Sequence, residues 1–85
     1  MKQINIMKKV TIYSSPTCHF CHMAKDFFVE NGVVFEDFDV ASDLEKRKEM
    51  VDKSGQMGVP VITVDDKLIV GFDKEKLVEY LDLKK

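Results

Sequence analysis

A chain of 85 residues, 45% of them apolar, suffices for one compact domain spanning 1–85 and excludes separate substrate and cofactor domains. With 33% charged residues and a net charge of -2, neither a polyanion-binding surface nor a solvating acidic tail is indicated, which sets nucleic acid aside as a partner. Residues 1–10 lack the apolar run and small-residue cleavage site of a secretory signal, and no membrane-spanning stretch follows, so the expected setting is the reducing cytoplasm without a membrane partner.

In chain order, residues 10–13 are β-branched and aromatic and stop at Ser14-Ser15-Pro16-Thr17, the pattern of a strand followed by a loop. Cys21, Ala24, Phe27 and Phe28 then recur at helical spacing, which predicts a helix from near Cys18 to Asn31, ended by Gly32. Residues 33–40 are strand-like, but Glu36, Asp37 and Asp39 require a face or an edge in water. Ser42 followed by Glu45 fits a reciprocal cap on a second helix, with Leu44 and Val51 on one face and Gly55 as its stop. Residues 61–64 and 68–70 are short apolar runs joined by Asp65-Asp66-Lys67, which predicts an antiparallel hairpin. Asp73 can cap a last helix carrying Leu77, Val78 and Leu81, with Phe72 stapled back onto Leu77. The order strand-helix-strand-helix-strand-strand-helix predicts an α/β domain with a mixed four-stranded sheet flanked by three helices.

Cys18 and Cys21 lie too close in sequence to staple distant parts of a fold, but they can close a small ring reversibly. At the first turn of a helix, Cys18 faces unpaired backbone N–H groups and the positive end of the helix dipole, both of which favour thiolate over thiol. Cys18 is therefore the expected nucleophile and Cys21, one turn later, the resolving thiol. Cys18, His19, Cys21 and His22 offer donors for zinc, yet side chains crowded along one helical turn converge poorly on a tetrahedral ion, so no metal is expected. Cys18 to His22 also spells the C-x-x-C-H haem-attachment pattern, which the absence of an export signal disfavours. His19 and His22 are either solvent-facing or electrostatic aids to the thiolate, and Phe20 either covers the active edge or packs on Phe72.

A strand, C-x-x-C and helix, followed by Gly58-Val59-Pro60 before a hairpin, resemble the glutaredoxin family over residues 9–83, including the glutaredoxin-like electron donors of ribonucleotide reductase. The resemblance implies a thioredoxin-like fold, Cys18 as nucleophile, Cys21 as resolving thiol, Tyr13 and Pro16 framing the site, and a cis Val59-Pro60 bond facing the cysteines. An exposed Val59 backbone would then pair with an extended thiol substrate. Gly71, Phe72 and Asp73 resemble the family turn that receives the γ-glutamyl end of glutathione, with Phe72 in place of the usual second glycine. Ser15 stands where many glutathione users carry a basic residue; Lys46 or Arg47 would approach the other carboxylate by analogy.

The expected function is a thiol–disulfide oxidoreductase acting on protein or small-molecule disulfides, a monomer with no bound cofactor. Glutathione or a thioredoxin-reductase-like flavoenzyme would regenerate it, and ribonucleotide reductase is an implied partner. Two alternatives stand beside this reading: a glutathione-assisted carrier of an iron-sulfur cluster or metal, and a binding-only peptide adaptor.

Overall fold

A computed structural model describes residues 9–81. Its elements are β1 (Val10–Ser14), α1 (His19–Glu30), β2 (Glu36–Asp39), α2 (Leu44–Ser54), β3 (Val61–Val64), β4 (Lys67–Val70) and α3 (Lys74–Leu81). The strands form one sheet in the order β2-β1-β3-β4. β1 and β2 run parallel, joined through α1, while β3 is antiparallel to both β1 and β4. The mixed sheet and three helices of the thioredoxin-like fold are therefore present, and the central positions of β1 and β3 explain why both strands are buried along their whole length.

Alternation along these strands divides the core in two. Val10 and Ile12 of β1, with Ile62 and Val64 of β3, join Ala24, Phe27, Phe28, Leu77 and Leu81 in the larger cluster. On the opposite face Tyr13 and Val61 meet Val40 and Met50, with Phe38, Val51 and Val59 packed around them. Edge strand β2 carries Glu36, Asp37 and Asp39 in exposed positions, as its carboxylates require.

Three boundaries differ from expectation. Strand β2 begins at Glu36 and not near residue 33, because the Val33 N–H donates to the Phe28 carbonyl at 2.9 Å and ties that segment to the end of α1. Asp43, not Ser42, caps α2: its carboxylate accepts from the Lys46 N–H at 3.1 Å. An Asp at the cap offers a charged acceptor to the positive end of the helix, which outweighs the Ser42/Glu45 pairing. Lys67 belongs to β4, leaving a two-residue turn in which Asp65 adopts φ 54°, the left-handed geometry that such hairpins need. Gly55 stops α2 at φ 74°, and Asp73 accepts from the Lys76 N–H at 3.2 Å to cap α3.

Candidate active site

The strand register gathers the chemistry at one end of the sheet. Ser14 lies opposite Asp39, and Val61 lies between Tyr13 and Val70, so the segments 15–18, 40–43, 59–60 and 71–73 emerge side by side. Cys18 is the cap residue of α1, with extended φ and ψ of -87° and 115°. Its sulfur accepts from the Cys21 N–H at 3.2 Å and lies 3.9 Å from the Val59 carbonyl oxygen. A sulfur in the place of a capping oxygen accepts from an N–H that the helix itself cannot satisfy. Cys18 is half-buried and reachable, whereas Cys21 is fully buried on the core side of the helix.

Burial pushes the Cys21 thiol up to about 12, helped by its hydrogen bond to Cys18 and by the Cys18 charge, against a lowering backbone hydrogen bond from Ser15 and the Lys25 ammonium. Both raising contributions from Cys18 depend on its being free: once that sulfur is bonded to a substrate its charge is gone, and Cys21 becomes easier to ionise. The pair thus has a reachable sulfur above and a buried, protonated thiol beneath.

Val59-Pro60 is cis, and Pro60 is buried while its carbonyl accepts from the Gly71 N–H at 2.8 Å. Gly71 has φ 90°, a conformation that a side chain would strain, so this glycine lets the chain turn tightly against Pro60 and brings Phe72 and Asp73 to the same edge. The Phe72 ring packs edge-on against Phe27, with centroids 6.1 Å apart, and not against Phe20. Phe20 is 57% exposed beside His19, their ring centroids 5.7 Å apart. Pro16 is exposed, and its carbonyl oxygen lies 3.0 Å from His22 Nε2; since a carbonyl only accepts, Nε2 carries the proton and donates.

Two expected site residues lie elsewhere. Tyr13 is fully buried and does not wall the cysteine edge, because its side chain points to the α2 face, where its hydroxyl donates to Glu49 at 2.5 Å. Lys46 is held by Glu49 at 3.2 Å and lies 4.1 Å above the Phe38 ring, so its ammonium is already engaged. Arg47 is exposed on the helix, and Ser15 is half-buried in the loop before Cys18. Sequence reasoning missed Glu49 altogether, along with the triad in which Asp37 accepts from Ser14 Oγ and from Lys25 Nζ, each at 2.7 Å. The pairing of strand and helix creates both, and no motif announces either.

The glutaredoxin family matches residues 10–69, a span that takes in β1, the two cysteines, Pro60 and most of the hairpin. The chain belongs to the glutaredoxin family. Among curated relatives, an uncharacterized glutaredoxin-like 8.6 kDa protein in the rubredoxin operon of Clostridium pasteurianum is 44% identical over 73 residues, covering 82% of this chain and 97% of its own. Glutaredoxin 3 of Escherichia coli K12 is 39% identical over 67 residues, covering 79% of this chain and 81% of its own. The fold superposes on the solved structure of the glutaredoxin-like protein NrdH-redoxin from Escherichia coli with a TM-score of 0.73 at 26% identity, covering 91% of this chain and 96% of that one. Membership places the Cys18/Cys21 pair in a family of thiol–disulfide oxidoreductases. No described helix is long and apolar enough to cross a membrane.

Proposed function

We propose that the protein reduces disulfides of proteins and small molecules by a dithiol cycle in the cytoplasm, with Cys18 attacking and Cys21 resolving. The observation that carries this reading is the 3.2 Å contact from the Cys21 N–H to the Cys18 sulfur, above a Cys21 thiol that is buried and held protonated. The Cys18 thiolate attacks one sulfur of the substrate disulfide, forming a mixed disulfide and releasing the other half as a thiolate. That bond removes the Cys18 charge, so Cys21 loses its proton to solvent more readily and attacks the Cys18 sulfur. The second substrate thiolate leaves, the internal disulfide closes, and two electrons have passed to the substrate.

Regeneration needs a two-electron donor. A thioredoxin-reductase-like flavoenzyme suits this reading better than glutathione, because glutathione carries two carboxylates and, of Ser15, Lys46 and Arg47, Arg47 alone offers a cation outside an ion pair among the described residues. Ser15 is neutral, and Lys46 is already paired with Glu49 and Phe38. Ribonucleotide reductase is a fitting client on the strength of the family resemblance.

Steady-state disulfide reduction with each donor tests the scheme. Cys18→Ser is expected to abolish turnover, and Cys21→Ser to accumulate a mixed disulfide with protein substrates, visible as added mass. Parental turnover in Cys18→Ser would overturn the mechanism. Ser15→Lys is expected to lower the KM for glutathione by about tenfold, as one added charged contact does, while leaving reaction with a neutral dithiol unchanged.

A further inference from the structure

Along α1, beginning at Met23 two residues past Cys21, lies a groove of about 310 Å³ that the dithiol chemistry does not use, lined by Met23, Asp26, Phe27, Glu30, Phe72 and Lys74. One wall is the outer face of α1, the helix that Cys18 caps; the other is the segment from Phe72 to Lys74, which Gly71 pins to Pro60. The groove is thus continuous with the two backbone segments that flank the reactive sulfur. Its composition changes with distance from that sulfur. Phe20 and Met23, the nearer residues of α1, are 57% and 39% exposed, and the Phe27 and Phe72 rings floor the next turn. Beside these rings stand two carboxylates, Asp26 and Glu30, one turn apart on α1 and neither in an ion pair among the described residues, and on the facing wall Lys74, whose Nζ lies 5.9 Å from the Phe27 ring centroid, so the lining is negative on balance.

Apolar surface nearest the sulfur, at Phe20 and Met23, and a negative balance of charge along the α1 wall at Asp26 and Glu30 describe a partner with the complementary order. We propose that this groove holds an extended segment of the disulfide-bearing protein substrate, with an apolar side chain against Met23, Phe27 and Phe72 and a basic side chain at Asp26 and Glu30. The inference deepens the oxidoreductase reading and rests on it. At 1.5 Å per helical residue, Asp26 and Glu30 lie roughly 12 and 18 Å along the axis from Cys18. An extended chain advances ~3.3 Å per residue, which puts the basic residue about four to five positions from the attacked cysteine. Charge complementarity of this kind acts on encounter and on choice among substrates, leaving the sulfur chemistry itself unchanged.

Single-turnover kinetics with the prereduced full chain test it. The probes are peptides whose one cysteine is a mixed disulfide with 2-mercaptoethanol, carrying Leu two positions away and either Arg or Glu five positions away, on each side in turn. In one of the two directions the Arg peptide is expected to react about tenfold faster than the Glu peptide at low ionic strength, with the difference shrinking in salt. The D26K/E30K double variant should reverse that order while reducing 2-hydroxyethyl disulfide at the parental rate. Equal rates for Arg and Glu peptides in both directions, or a preference unchanged in D26K/E30K, would overturn the groove assignment. Failure to reduce 2-hydroxyethyl disulfide would instead overturn the oxidoreductase reading, and the groove is then judged by fluorescence anisotropy with labelled peptides bearing Ser for Cys. There the parent should bind the Arg peptide more tightly than Met23→Ser or D26K/E30K does; equal binding sinks the proposal. A sedimentation-velocity dimer that D26K/E30K dissociates would show that a second copy occupies the groove, which equally overturns it.

Discussion

The two faces of the sheet are held by different physics. On the α1 and α3 face the larger cluster is apolar throughout, with Ile12, Ala24, Phe28, Ile62 and Leu77 fully buried. On the α2 face Tyr13 brings its hydroxyl to Glu49, and Lys46 and Lys53 lie 3.2 and 3.7 Å from the Glu49 carboxylate. The first face fixes the helix that carries both cysteines mainly by apolar burial. The second is a polar lock whose contribution titrates. What this teaches is a division of labour: the helix carrying the cysteine pair is held chiefly by apolar burial, with Lys25 to Asp37 as a titratable tie at its outer edge, whereas the α2 face relies on a hydroxyl–carboxylate–ammonium lock.

The largest expected effect tests the apolar face. Phe28→Ala should cost about 3–5 kcal/mol in urea denaturation, since a fully buried aromatic leaves a cavity that α1 cannot close. In so small a domain this removes much of the folding stability. A loss under about 1 kcal/mol would break the comparison at its stronger end.

Tyr13→Phe keeps the ring and deletes the bond to Glu49, for an expected loss of about 1.5 kcal/mol near neutral pH. The same variant alters the alkaline limb. Burial, the hydrogen bond to Glu49 and the nearby carboxylates of Glu49 and Glu36 push the Tyr13 hydroxyl well above its usual 10.0. The folded state therefore binds that proton more tightly than the unfolded chain does. The contribution is full below about pH 10 and is lost as pH rises toward the raised folded value. Tyr13→Phe should flatten this alkaline fall, and identical limbs in parent and variant would show that the lock does not titrate there.

Glu49 titrates in the opposite sense. The hydrogen bonds from Tyr13 and Lys46 hold its carboxyl below the usual 4.5. Its contribution is present above that value and is lost as pH falls through the depressed folded one. Glu49→Gln should reduce the acid sensitivity of thermal unfolding by a modest amount, because the carboxylate is partly solvated. At the small end, Asp43→Ala should cost about 1 kcal/mol through the lost α2 cap, whereas Ser42→Ala should change stability by under about 0.5 kcal/mol. The reverse order would restore Ser42 as the cap.

Much of this was legible in the residues themselves. The β-branched and aromatic run at residues 10–13, the short apolar run at 61–64, the helical spacing of Cys21, Ala24, Phe27 and Phe28, and the stops at Gly32 and Gly55 are local signals that the fold obeys. Cys18 at the start of a helix and Cys21 one turn on required only the 3.6-residue period, so the core of the candidate site was readable before any fold. Ser42 misled because two adjacent residues, Ser42 and Asp43, both suit a cap, and only the path of the chain out of β2 selects the second. Tyr13 misled for a related reason. Its place beside the loop was evident, but the sheet face on which it lies sends the hydroxyl to α2 and not toward the cysteines.

The sequence by itself thus determined the elements, the cysteine pair and the family resemblance, because each depends on spacings of a few residues. Tertiary structure alone decided which distant segments meet. Register between β1, β3 and β4 put Val59-Pro60 and Gly71 beside Cys18 and closed the groove between α1 and Phe72, while the pairing of β1 with β2 and the packing of α1 joined Asp37 to Ser14 and Lys25. These partners are separated along the chain by up to several elements, and no local propensity encodes a contact that exists only once the sheet has closed.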